Sequence, residues 1–353
     1  MSENTDIHKR EGKKQKMRVL LGMSGGLDST YAAIKLKEKG YDVEGALLLM
    51  HDYADIESAK ESAASVGIPL KIIDCKKLFC EKVIDNFAAE YLKGRTPNPC
   101  IVCNDYVKFA ALYEAAKEGG FDKIATGHYA GIVRKGGRYA LVRGKDEKKD
   151  QSYMLWRLKQ DILSVLELPL YDSYKSEIKV KSKEIKLAAA DRDESQEICF
   201  IPDNDYASYI EKNYASSPCG DFVDTDGNVL GRHKGILHYT VGQRKGLGIA
   251  LGERAFVRRI ESESNRIVLS RQSDVGNTQF EISDLVFSGL EKMTEGSMEL
   301  LVKVRYLAPP VKAKITFNNG TAQVILFEKR VVTPGQSAVF YDGDTVMLGG
   351  FIN

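Results

Sequence analysis

Hydrophobic and polar positions follow two rhythms along this chain. From Met17 to Met23, MRVLLGM is almost continuously apolar, as a strand buried on both faces is. Ser24-Gly25-Gly26 breaks that run with a tight turn, Asp28-Ser29-Thr30 opens a helix, and YAAIKLKEK carries it to Gly40, a C-cap candidate. Asp42–Met50 reads as a second strand, Ile56–Val66 as a helix closed by Gly67, and PLKIID (69–74) as a third strand. This β–α–β–α–β order predicts an α/β domain with a doubly wound parallel sheet covered by helices, and ligands at the carboxyl ends of the strands. The glycine turn lies at one of those ends. Leu78–Leu92 has the spacing of an amphipathic helix and runs into GRTPNPCIVCN (94–104). There Pro97 and Pro99 predict a stiff loop presenting Cys100 and Cys103. A helix over Lys108–Lys117 and a short strand over Lys123–Thr126 follow, then Gly127-His128-Tyr129. Arg134–Arg143 alternates as a hairpin, Lys145–Gln151 is a charged loop, and Ser152–Leu168 and Ser176–Ala190 both return to helical spacing.

Beyond Pro202 the periods shorten. Gly231–Arg259 is glycine-rich and carries Arg232, Lys234, Arg244, Lys245, Arg254, Arg258 and Arg259, interleaved with His238, Tyr239 and Phe256. Cations for phosphates and flat rings for bases make this the candidate nucleic-acid surface, against the plainer reading of a solvated β-rich linker domain. From Met298 onward, ELLVKVRYL, KAKITF, AQVILFE and SAVFYD alternate as short strands, with turns at Asn319-Gly320 and Asp342-Gly343. Such a run of strands predicts a small barrel or sandwich.

Composition narrows the class. A chain of 353 residues has room for about two or three domains. With 43% hydrophobic and 28% charged residues it is expected to fold around real cores, and its apolar runs, such as Gly45–Met50, are too short to span a membrane. The start, MSENTDIHKREGKKQK, lacks the apolar core of a secretory signal and reads as a disordered basic tail, so a cytoplasmic location is expected. A net charge of +2 leaves nucleic-acid binding to the distribution of charge. Six cysteines (Cys75, Cys80, Cys100, Cys103, Cys199, Cys219) in such a chain point to reduced thiols.

The chemistry concentrates first at Met17–Thr30. A strand, a glycine turn and a helix N-terminus together offer backbone N–H groups to a phosphate. A Walker A loop would end in Gly-Lys-Ser/Thr, and none follows here. The plainer alternative is an ordinary βα turn.

In this order the stretches resemble the tRNA-specific 2-thiouridylase family, whose members use ATP to place sulfur on the wobble uridine, position 34, of tRNA. GMSGGLDS resembles the family's pyrophosphatase-type (PP-loop) ATP loop, and GRTPNPCIVCN the loop of its first catalytic cysteine. ATGHY, KDQSYML, ESQEICFIPD, HYTVGQRKGLGI, VRY and TPGQSAVFYDG fall in the family's order, from Met17 to the C-terminus. The resemblance implies a PP-loop catalytic domain over residues 17–205, with a helical tRNA-contacting insertion near 152–190. A central tRNA-binding domain over 206–278 and a C-terminal β-barrel over 279–353 would follow, after a tail over 1–16.

It further implies that ATP adenylates the uridine C2 oxygen and that a cysteine persulfide delivers sulfur to that carbon. Gly22, Met23, Ser24, Gly25, Gly26, Leu27, Asp28, Ser29, Leu48 and Gly127 would bind ATP, with Mg²⁺ expected beside the phosphates. Cys103 would receive the persulfide sulfur, and Cys199 would later form a disulfide with it. Asn98 and Pro99 would lie near the target base, and His128, Lys149, Asp150, Gln151, Arg244, Lys245, Arg305, Tyr306 and Gln336 would meet tRNA. The partners implied are tRNAs for Lys, Glu and Gln, and a sulfur-relay protein or cysteine desulfurase. A thiolate attacks more readily beside positive charge, for which Arg95 and Lys108 are the sequence neighbours of Cys103.

Two departures stand out. Cys100 occupies the place of the family's usual Asp, so Cys100, Cys103 and Cys199 would form a three-cysteine site resembling sulfur-transfer enzymes that hold a 4Fe-4S cluster through three thiolates and deliver inorganic sulfide. The rival is a cluster-free persulfide route with Cys100 as a spare thiol. After Gly45-Ala46-Leu47-Leu48 the family's Met at Leu48 and its aromatic–acidic tract are missing. A paralogue serving as a tRNA-binding adaptor or acting on another RNA, and another PP-loop adenylating enzyme, are the alternative readings. Cys75, Cys80 and Cys219 are expected to be packing residues.

Overall fold

The most continuous apolar run becomes the centre of the first domain. The computed structural model describes residues 16–190, 192, 198–249, 252, 254–271 and 276–353; the basic start over 1–15 and the segment 193–197 lie outside the described residues. Strand β1 (Arg18–Gly22) buries Val19, Leu20 and Leu21 completely. After it come α1 (Leu27–Glu38), β2 (Asp42–Leu49), α2 (Ile56–Ser65), β3 (Leu70–Asp74), α3 (Lys76–Phe79), α4 (Asp85–Leu92), α5 (Pro99–Cys103) and α6 (Phe109–Glu118). Then follow β4 (Lys123–Ala125), β5 (Ala130–Lys135), β6 (Arg138–Arg143), α7 (Gln160–Val165), β7 (Leu166–Glu167) and α8 (Lys175–Glu184). The parallel sheet runs β3-β2-β1-β4-β7. Strand period two sends Leu20 into a core with Phe87, Ile101, Phe109 and Leu112, and Val19 and Leu21 into another with Ala32, Ala33 and Leu36. With β2 on one side of β1 and β4 on the other, chain order reverses at the carboxyl end of β1, where an open α/β sheet leaves a crevice.

Four expected elements change. Pro99 stands in the first turn of α5 and Asn98 caps it, so Cys100 and Cys103 sit on a helix and not on a stiff loop; proline is tolerated at that position because its missing N–H has no intrahelical partner anyway. Helix over Leu78–Leu92 is interrupted by a π-turn at Cys80–Ile84. Ser152–Leu168 divides into a 3₁₀ turn (Ser152–Leu155), α7 and β7, and α8 stops at Glu184 rather than Ala190.

The middle segment contains α9 (Tyr206–Asn213), β8 (Gly220–Val223), β9 (Val229–His233), β10 (Ala255–Glu261) and β11 (Arg266–Arg271), in the sheet order β10-β11-β8-β9. Tyr239 is 5% exposed and packs edge-on against Phe222 and His233. Its ring fills a core and is not presented to bases. Arg232 pairs with Asp221 and Arg259 with Glu261, so part of the basic series is neutralised within the protein.

The last segment is a closed barrel. Strands β12 (Asn277–Phe287), β13 (Glu295–Lys303), β14 (Val311–Asn318), β15 (Thr321–Arg330), β16 (Ser337–Asp342) and β17 (Thr345–Ile352) pair in the order β12-β15-β14-β13-β16-β17, and β12–β17 pairing closes the ring. Alternation in β14 buries Val311, Ala313, Ile315 and Phe317. The β5–β6 hairpin of the first segment attaches beside β17 through Val142 and Thr345. Trp156 wedges into the same junction, donating from Nε1 to Ser337 Oγ at 3.0 Å. Among the described residues no helix is long and apolar enough to cross a membrane.

Candidate active site

Local geometry dictates the turn after β1. Gly25 has φ +83, and a Cβ there would stand 2.8 Å from Ala59 N, so only glycine fits without displacing α2. Ser62 Oγ, at 2.9 Å, and the Arg192 guanidinium donate to the Gly25 carbonyl and hold the turn against that helix. Gly26, the residue before α1, has no side-chain cap, and the first N–H groups of this helix are left for another partner. Gly127, beyond β4, approaches so closely that a Cβ would lie 2.8 Å from Ser29 N. The Asp28 carboxylate accepts from Tyr129 Oη at 2.7 Å and pairs with Lys175 Nζ at 2.6 Å.

These elements enclose a cavity of about 200 Å³. Gly22, Met23, Ser24, Asp28, Ser29, Leu48 and Gly127 of the expected nucleotide set line it. Gly25 is turned beneath α2, Gly26 lies just outside the wall, and Leu27 packs into the core with Val19 and Leu36. His128 and Gln151, expected to meet tRNA, also line the cavity, with Met50, Lys108 and Thr126. Burial above all, and then the Lys108 charge, holds the His128 imidazole well below its ordinary value of 6.5, so it is neutral, and Thr126 Oγ1 lies 2.8 Å from its Nδ1.

Cys103 sits one side chain beyond this wall. Its Sγ is 3.5 Å from Met50 Sδ and it is 7% exposed. Burial pushes its thiol up to about 12, opposed by the Lys108 charge; Cys100, Cys199 and Cys75 are near enough to add to the rise. Cys199 is pushed up to about 11, by burial first and by Cys100 second. Cys100 reaches solvent at its surface, yet the surrounding protein is dense enough to raise its thiol as well. All six cysteines are free, so Cys103 and Cys199 are neighbours without being bonded. Among the described residues no three His, Cys, Asp or Glu side chains lie close enough together to hold a metal ion. That spacing is the one a single ion demands; the thiolates of a 4Fe-4S cluster bind different irons and stand farther apart, and Cys100, Cys103 and Cys199, which lie near enough to interact with one another, are the residues that would hold one.

Several expected tRNA contacts serve the protein itself. Asn98 Oδ1 accepts from Cys100 N at 3.1 Å, as the cap of α5, and Pro99 is buried. Gln336 Nε2 donates to Thr96 O at 2.7 Å, fixing the approach to α5. The Asp150 carboxylate is buried and accepts from Gly144 N, Ser152 N and Ser152 Oγ, so it is not offered to RNA. Arg305 donates to Val241 O and Thr333 Oγ1, tying the middle segment to the barrel, and Tyr306 lies beside Tyr153. Lys149 lines a separate open recess with Lys175 and Arg192. Arg244 and Lys245 are exposed. Arg95 pairs with Glu90 at 2.6 Å and donates to Ile352 O, leaving Lys108 as the cation that reaches Cys103. Lys175, Arg192 and Met50 carry no sequence motif, and Tyr129, though it ends ATGHY, is not among the expected site residues. Lys175 is 147 positions from its partner Asp28, and only tertiary packing brings them together.

The comparisons with known proteins agree with this geometry. The family described as "tRNA methyl transferase HUP domain" matches residues 17–203, "tRNA methyl transferase PRC-barrel domain" matches 207–271, and "Aminomethyltransferase beta-barrel domain" matches 277–352. A tRNA-specific 2-thiouridylase of Clostridium acetobutylicum is 43% identical over 95% of this chain and 99% of its own. The chain belongs to the tRNA-specific 2-thiouridylase family. Other 2-thiouridylases of this kind, from Clostridium botulinum and Clostridium beijerinckii, are 45% and 43% identical over 95% and 96% of this chain, and over 98% and 99% of theirs. Among solved structures, a "predicted subunit of tRNA methyltransferase" from Methanocaldococcus jannaschii matches at 21% identity and a TM-score of 0.34, over 48% of this chain and 76% of that one; so loose a superposition adds nothing to the assignment. As a 2-thiouridylase-family protein, the chain combines a parallel-sheet nucleotide domain of the PP-loop type, a small middle domain and a closed barrel.

Proposed function

We propose that this chain is an ATP-dependent tRNA sulfurtransferase that makes 2-thiouridine at the wobble position. One observation carries the reading: Met50 both lines the cavity under the glycine turn and touches Cys103 Sγ, so a thiol and a phosphate-type cavity are neighbours across one side chain. A pure tRNA-binding adaptor needs neither. ATP would place its phosphates at the Ser24–Ser29 turn and the uncapped start of α1, in a cavity that Lys108 and the neutral His128 also line. Mg²⁺ would supply charge neutralisation for the phosphates.

The uridine C2 oxygen attacks the α-phosphorus, and pyrophosphate leaves. The terminal sulfur of a Cys103 persulfide then attacks C2 and expels AMP, and the Cys199 thiolate attacks Cys103 Sγ, releasing the thiolated base and leaving a disulfide that must be reduced. A sulfur-relay protein or cysteine desulfurase would load Cys103. Exposed Arg244 and Lys245 would contribute to holding tRNA backbone. Cys103→Ser is expected to abolish 2-thiouridine formation, read by nucleoside mass spectrometry, while ATP binding stays intact. Unchanged 2-thiouridine in that variant would overturn the proposal.

A further inference from the structure

We infer that Met50 is a nucleotide-operated gate over the Cys103 thiol, a positioning residue for sulfur transfer. The inference rests on the nucleotide cavity proposed above. That cavity measures about 200 Å³. Sites for small molecules and cofactors run from about 300 to 1,000 Å³, so a nucleotide entering here either extends through the open mouth of the cavity or displaces part of its wall. Part of the lining cannot yield. Gly22, Met23, Ala46, Leu47 and Leu48 belong to β1, β2 or the buried turn between sheet and helix, and Asp28 is pinned by Tyr129 and Lys175.

Met50 differs. It follows the last residue of β2, is half-buried, and carries an unbranched side chain that adopts many shapes at low cost. It packs on the edge of the core and touches Cys103, its Sδ lying 3.5 Å from Sγ. A thioether is only a weak acceptor and gives a thiolate nothing, so in this position Met50 keeps Cys103 covered and protonated. When Met50 swings out of the nucleotide's space, it leaves the thiol too. Cys103 then faces Lys108, which already lines the same cavity and whose charge favours the thiolate. The gate makes the sulfur-carrying thiol reactive only where a nucleotide is bound.

Alkylation of Cys103 by iodoacetamide, followed by peptide mass spectrometry on the full-length protein, tests this. It is run with and without a non-hydrolysable ATP analogue, whose binding is measured separately by calorimetry. Wild-type Cys103 is expected to react slowly alone and about tenfold or more faster with the analogue, the change one unit of thiol pKa produces. Met50→Ala is expected to react fast without nucleotide and to gain little from it, with its pH–rate profile shifted to lower pH; Met50→Leu keeps the slow rate. Buried Cys75 is the internal control for folding, and its rate stays low throughout. Bound analogue with no acceleration of wild-type Cys103, or a Met50→Ala protein with slow Cys75 and Cys103 as slow as wild type, overturns the gate. Failure of the analogue to bind counts against the nucleotide reading instead, and the nucleotide-free Met50→Ala rate still decides whether Met50 masks the thiol. If Met50→Ala exposes Cys75, the wild-type pair of rates decides.

Discussion

Two adjacent glycines separate folding from ligand binding at the turn. At Gly25 an alanine would have to adopt φ +83 and would place its Cβ 2.8 Å from Ala59 N and Ser58 C, both backbone atoms. Left-handed backbone costs a non-glycine residue about 1–3 kcal/mol, and overpacking against atoms that cannot rotate away costs about as much again, so Gly25→Ala should destabilise by about 2–6 kcal/mol. Gly26 is opposite in every respect. Its φ is −75, and the nearest atom to an added Cβ is Ser24 Oγ at 3.6 Å. The fold tolerates Gly26→Ala: a less flexible unfolded chain adds up to about 1 kcal/mol and the poorer N-cap removes about as much, so stability should stay within about 1 kcal/mol of wild type. A methyl group there nevertheless stands where a phosphate would approach the helix N-terminus. Loss of one charge-assisted hydrogen bond, about 1.5–3 kcal/mol, weakens nucleotide binding by about 10- to 150-fold. Urea denaturation reads the first quantity and calorimetric titration with ATP the second. Wild-type stability in Gly25→Ala would refute the steric argument, and wild-type affinity in Gly26→Ala would refute the phosphate cradle.

Three other outcomes follow from the same geometry. Asn98→Ala removes the cap of α5 and should cost about 1 kcal/mol in urea unfolding, with Asn98→Asp recovering most of it; equal stability of all three would restore Asn98 as a residue held for the substrate alone. His128 is held neutral, with its folded-state value far below 6.5, so its contribution is complete above about pH 6.5 and is lost as pH falls below it. His128→Gln should therefore flatten the acid limb of the stability–pH curve, and an unchanged limb would contradict that burial. Anaerobic reconstitution with iron and sulfide separates the two sulfur routes: stoichiometric iron lost in Cys100→Ala means that Cys100, Cys103 and Cys199 hold a cluster, and iron indifferent to all three leaves the persulfide route alone.

Local chemistry made much of this protein legible before any coordinates. The strand–turn–helix at Met17–Thr30 is specified by an apolar run, a glycine that needs positive φ and a helix start, all within fourteen consecutive residues. The hairpins at Gly136-Gly137 and Asn319-Gly320 are specified by residues that accept left-handed backbone. Proline at Pro99 misleads because the same residue breaks a helix interior and begins a helix, and the difference depends on whether Asn98 caps it. Aromatic residues among cations at Tyr239 mislead because composition does not say which face of a segment turns inward. What only the tertiary structure decided are the pairings between distant segments. Lys175 meets Asp28, Arg192 clasps the Gly25 carbonyl, Gln336 holds Thr96, and Met50 covers Cys103. Such contacts join groups that are 53 to 240 positions apart, and no periodicity or motif records them, because each partner is chosen by how whole elements pack and not by its neighbours in the chain.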